Sequence, residues 1–250
     1  MHMTGNTIFI TGGGSGIGRG WAEAFHALGN QVIIGGRRAE VLDDVVAQNP
    51  GMARVVFDVE DGAALPGMVA GLVAQFPGLN VLINNAGIMR AENILAEPYD
   101  LTDAEATIVT NLLGPIRLTA ALLPQLRAKG QAAVLNVSSG LAFVPLAMTP
   151  TYSATKAALH SWSQSLRHQL RATSVQVIEV APPAVGTDLM PQSRSNPMAM
   201  ALADYITETM ALLTADPAAT EILVERVKPL RMADSVGNYG EVFGRVNPVG

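Results

Sequence analysis

The chain has 250 residues, of which 49% are hydrophobic and 15% charged, the composition of a globular protein rather than a disordered one. A formal net charge of −5 and the lack of a Lys/Arg-rich run argue against nucleic-acid binding. The absence of cysteine excludes disulfides, thiolate zinc sites and a cysteine nucleophile.

Four histidines are present, and no two stand at the spacing of metal ligands, so we expect no metal. They are His2, His26, His160 and His168. The first strand-like run begins by residue 7, and no apolar run stands out at the length of a membrane span. We therefore expect a cytoplasmic protein without a signal peptide or a membrane partner.

Apolar segments of strand length alternate with helical patterns along most of the chain. Strands are predicted at residues 6–11, 31–36, 53–59, 80–87, 132–139 and 175–183. Helices are predicted at 16–29, 39–49, 65–76 and 102–128, and from about Pro150 onward. The strands are almost continuous in Val, Ile and Leu, as in strands buried on both faces. This alternation predicts an α/β fold, a single Rossmann-type doubly wound parallel sheet with helices on both faces, in one domain over residues 1–250.

The pattern changes after residue 186. Residues 188–215 combine Pro, Ser and Asn with a helical pattern that contains several methionines. Two compatible interpretations stay open, an amphipathic helix that packs on the core and a substrate lid. The Gly-rich tail at 235–250 is interpreted as a last short strand.

The segment "TGGGSGIG" (11–18) follows the first strand and begins the first helix. Gly12, Gly16 and Gly18 permit a tight turn and a close approach of the backbone to a pyrophosphate. The N-terminus of the helix then offers N–H groups and its positive dipole end to that anion. The position of the glycines between strand and helix favours a nucleotide-binding loop over a plain flexible turn.

The second strand ends in "GGRR" (35–38) rather than in an acidic residue that would bind the adenosine ribose hydroxyls. Gly36 removes the repulsion of a 2′-phosphate, and Arg37 and Arg38 offer guanidinium groups suited to phosphate oxygens. We therefore predict NADP(H) rather than NAD(H). The alternative is a pair of exposed arginines at the start of a helix.

Tyr152 and Lys156 are four residues apart in a predicted helix, so their side chains should lie on one face. Thr149 is expected to cap this helix, and Pro150 suits its first position. The spacing alone is weak support for chemistry.

Five motifs in order make the chain resemble a short-chain dehydrogenase/reductase over residues 6 to about 190. They are "TGGGSGIG", "NNAG" (84–87), Asn111, "NVSS" (136–139) and "YSATK" (152–156). Within that family, "NLLGPIRLTAALLPQL" (111–126) and "APPAVGTDL" (181–189) are similar to the DltE-like branch.

The resemblance implies a catalytic role for four residues. Tyr152 would donate or accept the proton, with Lys156 as its partner. Ser139 would polarise the carbonyl group, although Ser138 is a rival for this role. Asn111 would hold a water in a proton relay to Lys156.

The resemblance also implies cofactor contacts, with Asp58 near the adenine and Thr187 near the nicotinamide amide. The full set is Gly12, Gly14, Ser15, Gly16, Ile17, Gly18, Arg37, Arg38, Asp58, Val59, Asn85, Ala86, Gly87, Tyr152, Lys156, Pro182, Val185 and Thr187. Pro183 stands where the family usually has glycine, so the resemblance does not determine which residues form the wall of the substrate pocket.

The chemistry is consistent with these roles, because a neighbouring cation favours a phenolate and should lower the pKa of Tyr152. We predict an NADPH-dependent carbonyl reductase or alcohol dehydrogenase. Two alternatives are a nucleotide-sensing binding protein and a dehydratase or epimerase on the same scaffold.

Six apolar residues are candidates to face a small carbonyl or alcohol substrate, or to belong to the core. They are Met89, Leu141, Phe143, Val144, Met148 and Met190. Arg90 is a candidate for a substrate carboxylate or a solvated arginine. The Ala- and Leu-rich helices at 102–128 and 150–172, together with the resemblance, predict a homodimer or homotetramer.

Overall fold

The structure of the protein, a computed structural model, describes residues 1–190 and 196–248. Seven parallel strands form one sheet in the order β3-β2-β1-β4-β5-β6-β7. The strands are β1 Thr7–Thr11, β2 Gln31–Gly36, β3 Ala53–Val56, β4 Leu79–Asn84, β5 Ala132–Val137, β6 Val175–Val180 and β7 Glu221–Ile222. The predicted doubly wound parallel sheet is confirmed.

Helices cover both faces of the sheet. They are α1 Gly16–Ala27, α2 Ala39–Gln48, α3 Leu65–Gln75, α4 Thr102–Ile108, α5 Gly114–Arg127, α6 Pro150–Leu170, α7 Leu202–Ala215, α8 Lys228–Met232 and α9 Tyr239–Val246. A π-helical turn, Val109–Leu113, joins α4 to α5, and 3₁₀ turns occupy Gly140–Ala142 and Glu225–Val227.

The side chains of β1 show how the sheet is buried on both faces. Ile8 and Ile10 belong to a core cluster with α1 and α7, whereas Phe9 belongs to a cluster with α3, α5 and α6. All three side chains are fully buried. Alternate residues of a strand point to opposite faces, so a continuous apolar run supplies both cores at once.

The prediction of a last strand in the C-terminal tail was wrong, and one strand was missed. The last strand is β7, a two-residue edge strand at Glu221–Ile222 that lies beyond α7. The tail forms helix α9 rather than a strand, and Val242 is the buried residue of this helix. Neither outcome is visible locally, because two residues carry no periodicity and a Gly-rich octapeptide has weak intrinsic preference for either state.

The predicted helix at 102–128 is present as α4, the π turn and α5. Contrary to our expectation that no such stretch exists, Thr102–Arg127 has the length and hydropathy of a membrane span. Its side chains Leu118, Leu122 and Leu126 are fully buried against the sheet. The spacing of four residues places them on one face, which accounts for the apolar composition as a core contact.

The predicted substrate lid, residues 188–215, is only partly described, because residues 191–195 lie outside the described residues. Its helical half, α7, packs against α1. Trp21 Nε1 donates a hydrogen bond to Thr209 Oγ1 at 3.0 Å, and Tyr205 is fully buried. Before α7, Met200 forms an isolated parallel bridge with Val185 of the segment after β6. The lid stays a prediction, and α7 fits the packed-helix interpretation.

Candidate active site

The loops that follow the strands open at one edge of the sheet and contain most of the predicted site residues. After the first three strands stand, in order, Gly12, Gly14, Ser15, Gly16, Ile17 and Gly18 (β1), Arg37 and Arg38 (β2), and Asp58 and Val59 (β3). After the next three stand Asn85, Ala86 and Gly87 (β4), Ser139 (β5), and Pro182, Val185 and Thr187 (β6). The strand order reverses between β1 and β4, the place where such sheets form a ligand-binding crevice.

The loop after β1 is a tight turn against the loop after β4. Gly12 and Gly16 have φ values of 66° and 52°, which side chains rarely adopt. A Cβ on Gly18 would lie 2.4 Å from both Asn85 Nδ2 and the Gly12 carbonyl oxygen. Ser15 is the N-cap of α1, yet its side chain makes no capping hydrogen bond. The N-terminus of α1 therefore has the form of an anion site.

Thr11 joins the ends of β1 and β4, a contact that sequence analysis missed. Its Oγ1 accepts hydrogen bonds from Asn85 N at 3.0 Å and Ala86 N at 2.9 Å. Asn85 Nδ2 in turn donates to the Thr11 carbonyl oxygen at 2.9 Å. The Thr11 side chain thus holds the loops after β1 and β4 together at the reversal point. Thr11 is the first residue of the glycine motif, and its hydroxyl group was the only feature of the sequence that could have indicated this contact.

The two arginines after β2 differ in their partners, which sequence analysis could not distinguish. Arg37 Nη1 lies 3.3 Å from Glu60 Oε1 and 3.7 Å from Asp58 Oδ2. Arg38 is exposed at the N-cap of α2 and has no ion pair within the described ranges 1–190 and 196–248. Of the two guanidinium groups, the one on Arg38 would therefore be available to an anion without competition from a carboxylate.

Helix α6 brings Tyr152 and Lys156 to the end of β5. Lys156 Nζ lies 5.5 Å from the centroid of the Tyr152 ring and donates a hydrogen bond to the Val137 carbonyl oxygen at 2.8 Å. Ser139 follows two residues after Val137, and its hydroxyl opposes the rise that burial causes in the pKa of the Tyr152 phenol, while Ser139 Oγ accepts a hydrogen bond from Leu141 N at 3.1 Å. The rival, Ser138, instead directs its hydroxyl at the Val180 carbonyl oxygen on β6, at 3.5 Å.

Asn111 lies in the π-helical turn and is fully buried. Its Oδ1 accepts from Ile88 N at 2.9 Å, and its Nδ2 donates to the Ile88 carbonyl oxygen at 2.8 Å. A Cβ on Gly87 would lie 3.2 Å from Asn111 Oδ1 and 3.7 Å from Lys156 Nζ, so these two groups flank the same small space. Turns of this type inside α-helices are frequent at functional sites.

Burial controls the protonation of the α6 pair. Burial raises the pKa of Tyr152 to about 12, and the hydrogen bond with Ser139 opposes this shift. Burial also lowers the pKa of Lys156 to about 8. The expected lowering of the Tyr152 pKa was therefore wrong for this structure, because removal of the phenolate from water costs more than nearby groups return. The phenol is protonated at neutral pH and the lysine is a cation.

Helix α6 begins as predicted, with Thr149 at the N-cap and Pro150 at the first position, but the Thr149 hydroxyl does not cap it. That hydroxyl turns back to the Leu146 carbonyl oxygen, at 3.5 Å. A further missed contact is Thr155, whose Oγ1 lies 3.4 Å from Asn111 Nδ2.

The six apolar candidates for the substrate pocket separate into different environments. Val144 is core, since it is fully buried against Ala233 and Val242 of the C-terminal segment. Phe143 packs edge-on against His160, with ring centroids 4.9 Å apart. Met148 is 48% exposed, and Met89, Leu141 and Met190 are buried or half-buried beside the site loops. Arg90 Nε lies 3.7 Å from Asp103 Oδ1, so the arginine has a carboxylate neighbour.

The tertiary structure also gathers a set of metal-ligating groups that sequence spacing did not reveal. Ligand atoms of His160, Glu179 and Glu221 lie within 4.8 Å of one another. His160 Nδ1 is 2.6 Å from Glu179 Oε2, and Arg231 binds both oxygens of Glu221 at 3.2 Å. Because the cluster contains its own cation, we interpret it as a charge network, and the expectation of no metal stays a prediction.

We predict that Thr11→Val destabilises the fold, because it keeps the side-chain shape but leaves the Asn85 and Ala86 N–H groups without an acceptor. An unsatisfied donor of this kind costs about 1–3 kcal/mol, and the free energy of unfolding in urea should fall by about that amount. The matched control is Thr11→Ser, which retains the hydroxyl and should be close to wild type. Equal stability of the two variants would contradict the role of the hydroxyl.

Comparison with known proteins identifies the family to which this chain belongs. The family model described as short chain dehydrogenase matches residues 6–198. The oxidoreductase DltE of Bacillus subtilis, whose reaction is uncharacterised, is 40% identical over 99% of this chain and 98% of its own length.

Two solved structures share the fold at lower identity. A short chain dehydrogenase from Burkholderia cenocepacia in complex with NADP is 26% identical, with a TM-score of 0.82 over 98% of this chain and 99% of that one. The 3-ketoacyl-(acyl-carrier-protein) reductase from Brucella melitensis, complexed with NADH, is 26% identical, with a TM-score of 0.79 over 90% of this chain and 100% of that one. The chain therefore belongs to the short-chain dehydrogenase family of oxidoreductases, in its DltE-like branch.

Proposed function

We propose that the protein reduces a ketone or aldehyde to an alcohol with NADPH, and catalyses the reverse oxidation. One observation carries this proposal: the Tyr152 phenol is buried and protonated beside the Ser139 hydroxyl and the Lys156 ammonium. A phenol with a pKa of about 12 is a proton donor across the neutral range. The experiment that tests the proposal is NADPH oxidation against a panel of ketones, aldehydes and keto acids.

The residues present fit a nicotinamide dinucleotide. The glycine turn after β1 lies close against the first turn of α1, since a Cβ on Gly18 would lie 2.4 Å from the Gly12 carbonyl oxygen, and this close approach of backbone to helix N-terminus suits a pyrophosphate. A Cβ on Gly16 would lie 3.3 Å from Thr187 Cγ2, so the β1 and β6 loops approach each other across the crevice. Arg38 suits an additional phosphate on the adenosine ribose. Since the solved relatives bind NADP in one case and NADH in the other, the choice of NADPH rests on Arg38.

The proposed mechanism divides the work among four side chains. The cofactor, when bound, supplies the hydride. Ser139 donates a hydrogen bond to the carbonyl oxygen, and Tyr152 transfers its phenolic proton to that oxygen as negative charge develops there. The Lys156 ammonium group stabilises the negative charge left on the phenolate. Asn111, fixed by Ile88, borders the space beside Lys156 where a water would return the proton.

The substrate is proposed to have apolar flanks. Met89 is 9% exposed and precedes Arg90, whose guanidinium already has Asp103 as a neighbour. Leu141 follows Ser139 closely and is only half-buried. A site of this kind suits an apolar ketone or aldehyde better than a polyanion.

We also propose a homodimer or homotetramer built on the α4–α5 and α6 helices. Leu101, the N-cap residue of α4, and Ile108, at the end of this helix, are 53% and 41% exposed, an unfavourable state for neighbouring apolar side chains in an isolated chain. We expect light scattering at micromolar concentration to give the mass of two or four chains. A monomer under these conditions would refute the proposal.

For Tyr152→Phe, we predict that kcat for reduction falls at least about a hundredfold while NADPH affinity and stability change little. The ring still fills its space, but the proton donor is lost. The control is Tyr239→Phe, which removes a phenol from helix α9, where the ring stacks on Phe243, and should keep wild-type turnover. If Tyr152→Phe retains more than about a tenth of wild-type turnover where chemistry limits the rate, Tyr152 is not the acid.

The pH dependence follows from the same pair. The pKa of Lys156 is lowered to about 8, so the free enzyme holds the ammonium below that pH and loses it above, while Tyr152 stays protonated on both sides. We expect kcat/KM for reduction, which reports the free enzyme, to fall above pH 8. Lys156→Ala should be slow throughout and lack this break. An unchanged basic limb in Lys156→Ala would assign the ionisation to another group.

For the cofactor, we predict that kcat/KM with NADPH exceeds that with NADH at least about tenfold, or about 1.4 kcal/mol. Arg38→Ala should remove most of this preference, because Arg38 lacks a competing carboxylate. Arg37→Ala should remove less of it, because Arg37 is already paired with Asp58 and Glu60. Equal use of both cofactors by the wild-type enzyme would contradict the proposal that the arginines after β2 select NADPH.

A further inference from the structure

Glu92 lies in the segment between β4 and α4, and its carboxylate meets the N-terminus of α6. Its Oε1 accepts a hydrogen bond from Thr151 N at 3.0 Å, and its Oε2 accepts one from Thr151 Oγ1 at 2.7 Å. The Glu92 backbone N–H also donates to the Met148 carbonyl oxygen at 2.9 Å. Three hydrogen bonds thus join this segment to the start of the helix that carries Tyr152.

No other side chain within residues 1–190 and 196–248 caps the N-terminus of α6. The hydroxyl of its N-cap residue, Thr149, makes no capping hydrogen bond, and Pro150 has no N–H. Thr151 therefore supplies the first N–H of the helix, and Glu92 is its acceptor. A carboxylate at this place forms charge-assisted hydrogen bonds and complements the positive end of the helix dipole. The Glu92 side chain performs the capping that the sequence suggested for Thr149.

The same segment is fixed at its other end to Asn111 in the π-helical turn. Ile88, four residues before Glu92, bonds through both its N–H and its carbonyl to the side chain of Asn111. Residues 88–92 therefore run from Asn111 to the residue that precedes Tyr152. The outer part of the segment is held through Tyr99, whose hydroxyl donates to Glu92 Oε2 at 2.9 Å.

We infer that Glu92 is a positioning residue, which rests on the proposed function: it sets the N-terminus of α6, and with it the Tyr152 phenol, relative to Asn111. No hydrogen bond or ion pair joins Glu92 to Tyr152 or Lys156 among the residues that the structure describes, so it acts through Thr151. Small misplacement of a catalytic group can cost up to about a hundredfold in rate. The geometry of the proton donor is therefore set by a carboxylate 59 residues before Thr151 in the chain.

The test compares Glu92→Ala and Glu92→Gln with two control variants. We expect Glu92→Ala to lower the single-turnover rate of hydride transfer about 10- to 100-fold, with an increased deuterium isotope effect on kcat and unchanged NADPH affinity. Glu92→Gln should fall between Glu92→Ala and wild type, because its amide oxygen still accepts from Thr151 N. Tyr99→Phe, which removes only the outer hydrogen bond, and Glu97→Gln, the same change at an exposed residue of the segment, should match wild type.

Hydrogen–deuterium exchange gives a second readout that is independent of turnover. A peptide covering residues 149–156 should exchange faster in Glu92→Ala than in Glu97→Gln. Unchanged exchange would overturn the inference, and so would faster exchange with an unchanged hydride-transfer rate, since Glu92 would then be only a stabilising cap. A wild-type enzyme that reduces no carbonyl compound overturns the proposed function and the inference together, whereas an active wild type with an equally active Glu92→Ala overturns the inference alone.

Discussion

Parallel pairing of every strand is the constraint on which the rest of the structure depends. All six strand pairs run in the same direction, so each strand ends at one edge of the sheet and the loops after β1 to β6 open there together. The order reverses between β1 and β4, which leaves a crevice between the loops that follow these strands. Thr11 closes the base of this crevice through its hydrogen bonds to Asn85 and Ala86. The crevice is thus a product of topology, and its shape is held by a few buried polar contacts.

Desolvation dominates the electrostatics of the α6 pair. Helix α6 packs on the end of β5, so both the phenol of Tyr152 and the ammonium of Lys156 are removed from water. Burial favours the neutral form of each group, because it raises the pKa of Tyr152 and lowers the pKa of Lys156. The Val137 carbonyl oxygen returns one hydrogen bond to the ammonium. The result is a neutral phenol beside a lysine that holds its proton only slightly above neutral pH. This arrangement favours proton donation, the direction that carbonyl reduction requires.

The C-terminal segment, residues 225–248, packs against the loop after β5 through Val227 and Asn247. A Cβ on Gly140 would lie 2.9 Å from Val227 Cγ2, so the turn that follows Ser139 packs directly on this segment. Asn247 accepts from Ala147 N at 2.6 Å and donates to the Pro145 carbonyl oxygen at 3.0 Å. Ser139 therefore stands on a turn that is supported from outside the region of the sequence motifs. A site held by packing in this way keeps its geometry better than one on a free loop.

Local pattern in the sequence determined the alternating strands and helices, the glycine turn at the N-terminus of α1 and the shared face of Tyr152 and Lys156, because each depends on residues within a few positions of one another. Tertiary structure decided what depends on distant neighbours. It paired Arg37 with Asp58 and Glu60 and left Arg38 without an ion pair in the described part of the chain. It replaced the expected Thr149 cap by Glu92, and it raised the pKa of Tyr152 that the adjacent lysine alone would have lowered. The physical reason is range: helical periodicity and turn conformation are set within a few residues along the chain, whereas burial and charge pairing depend on every group that folding brings near.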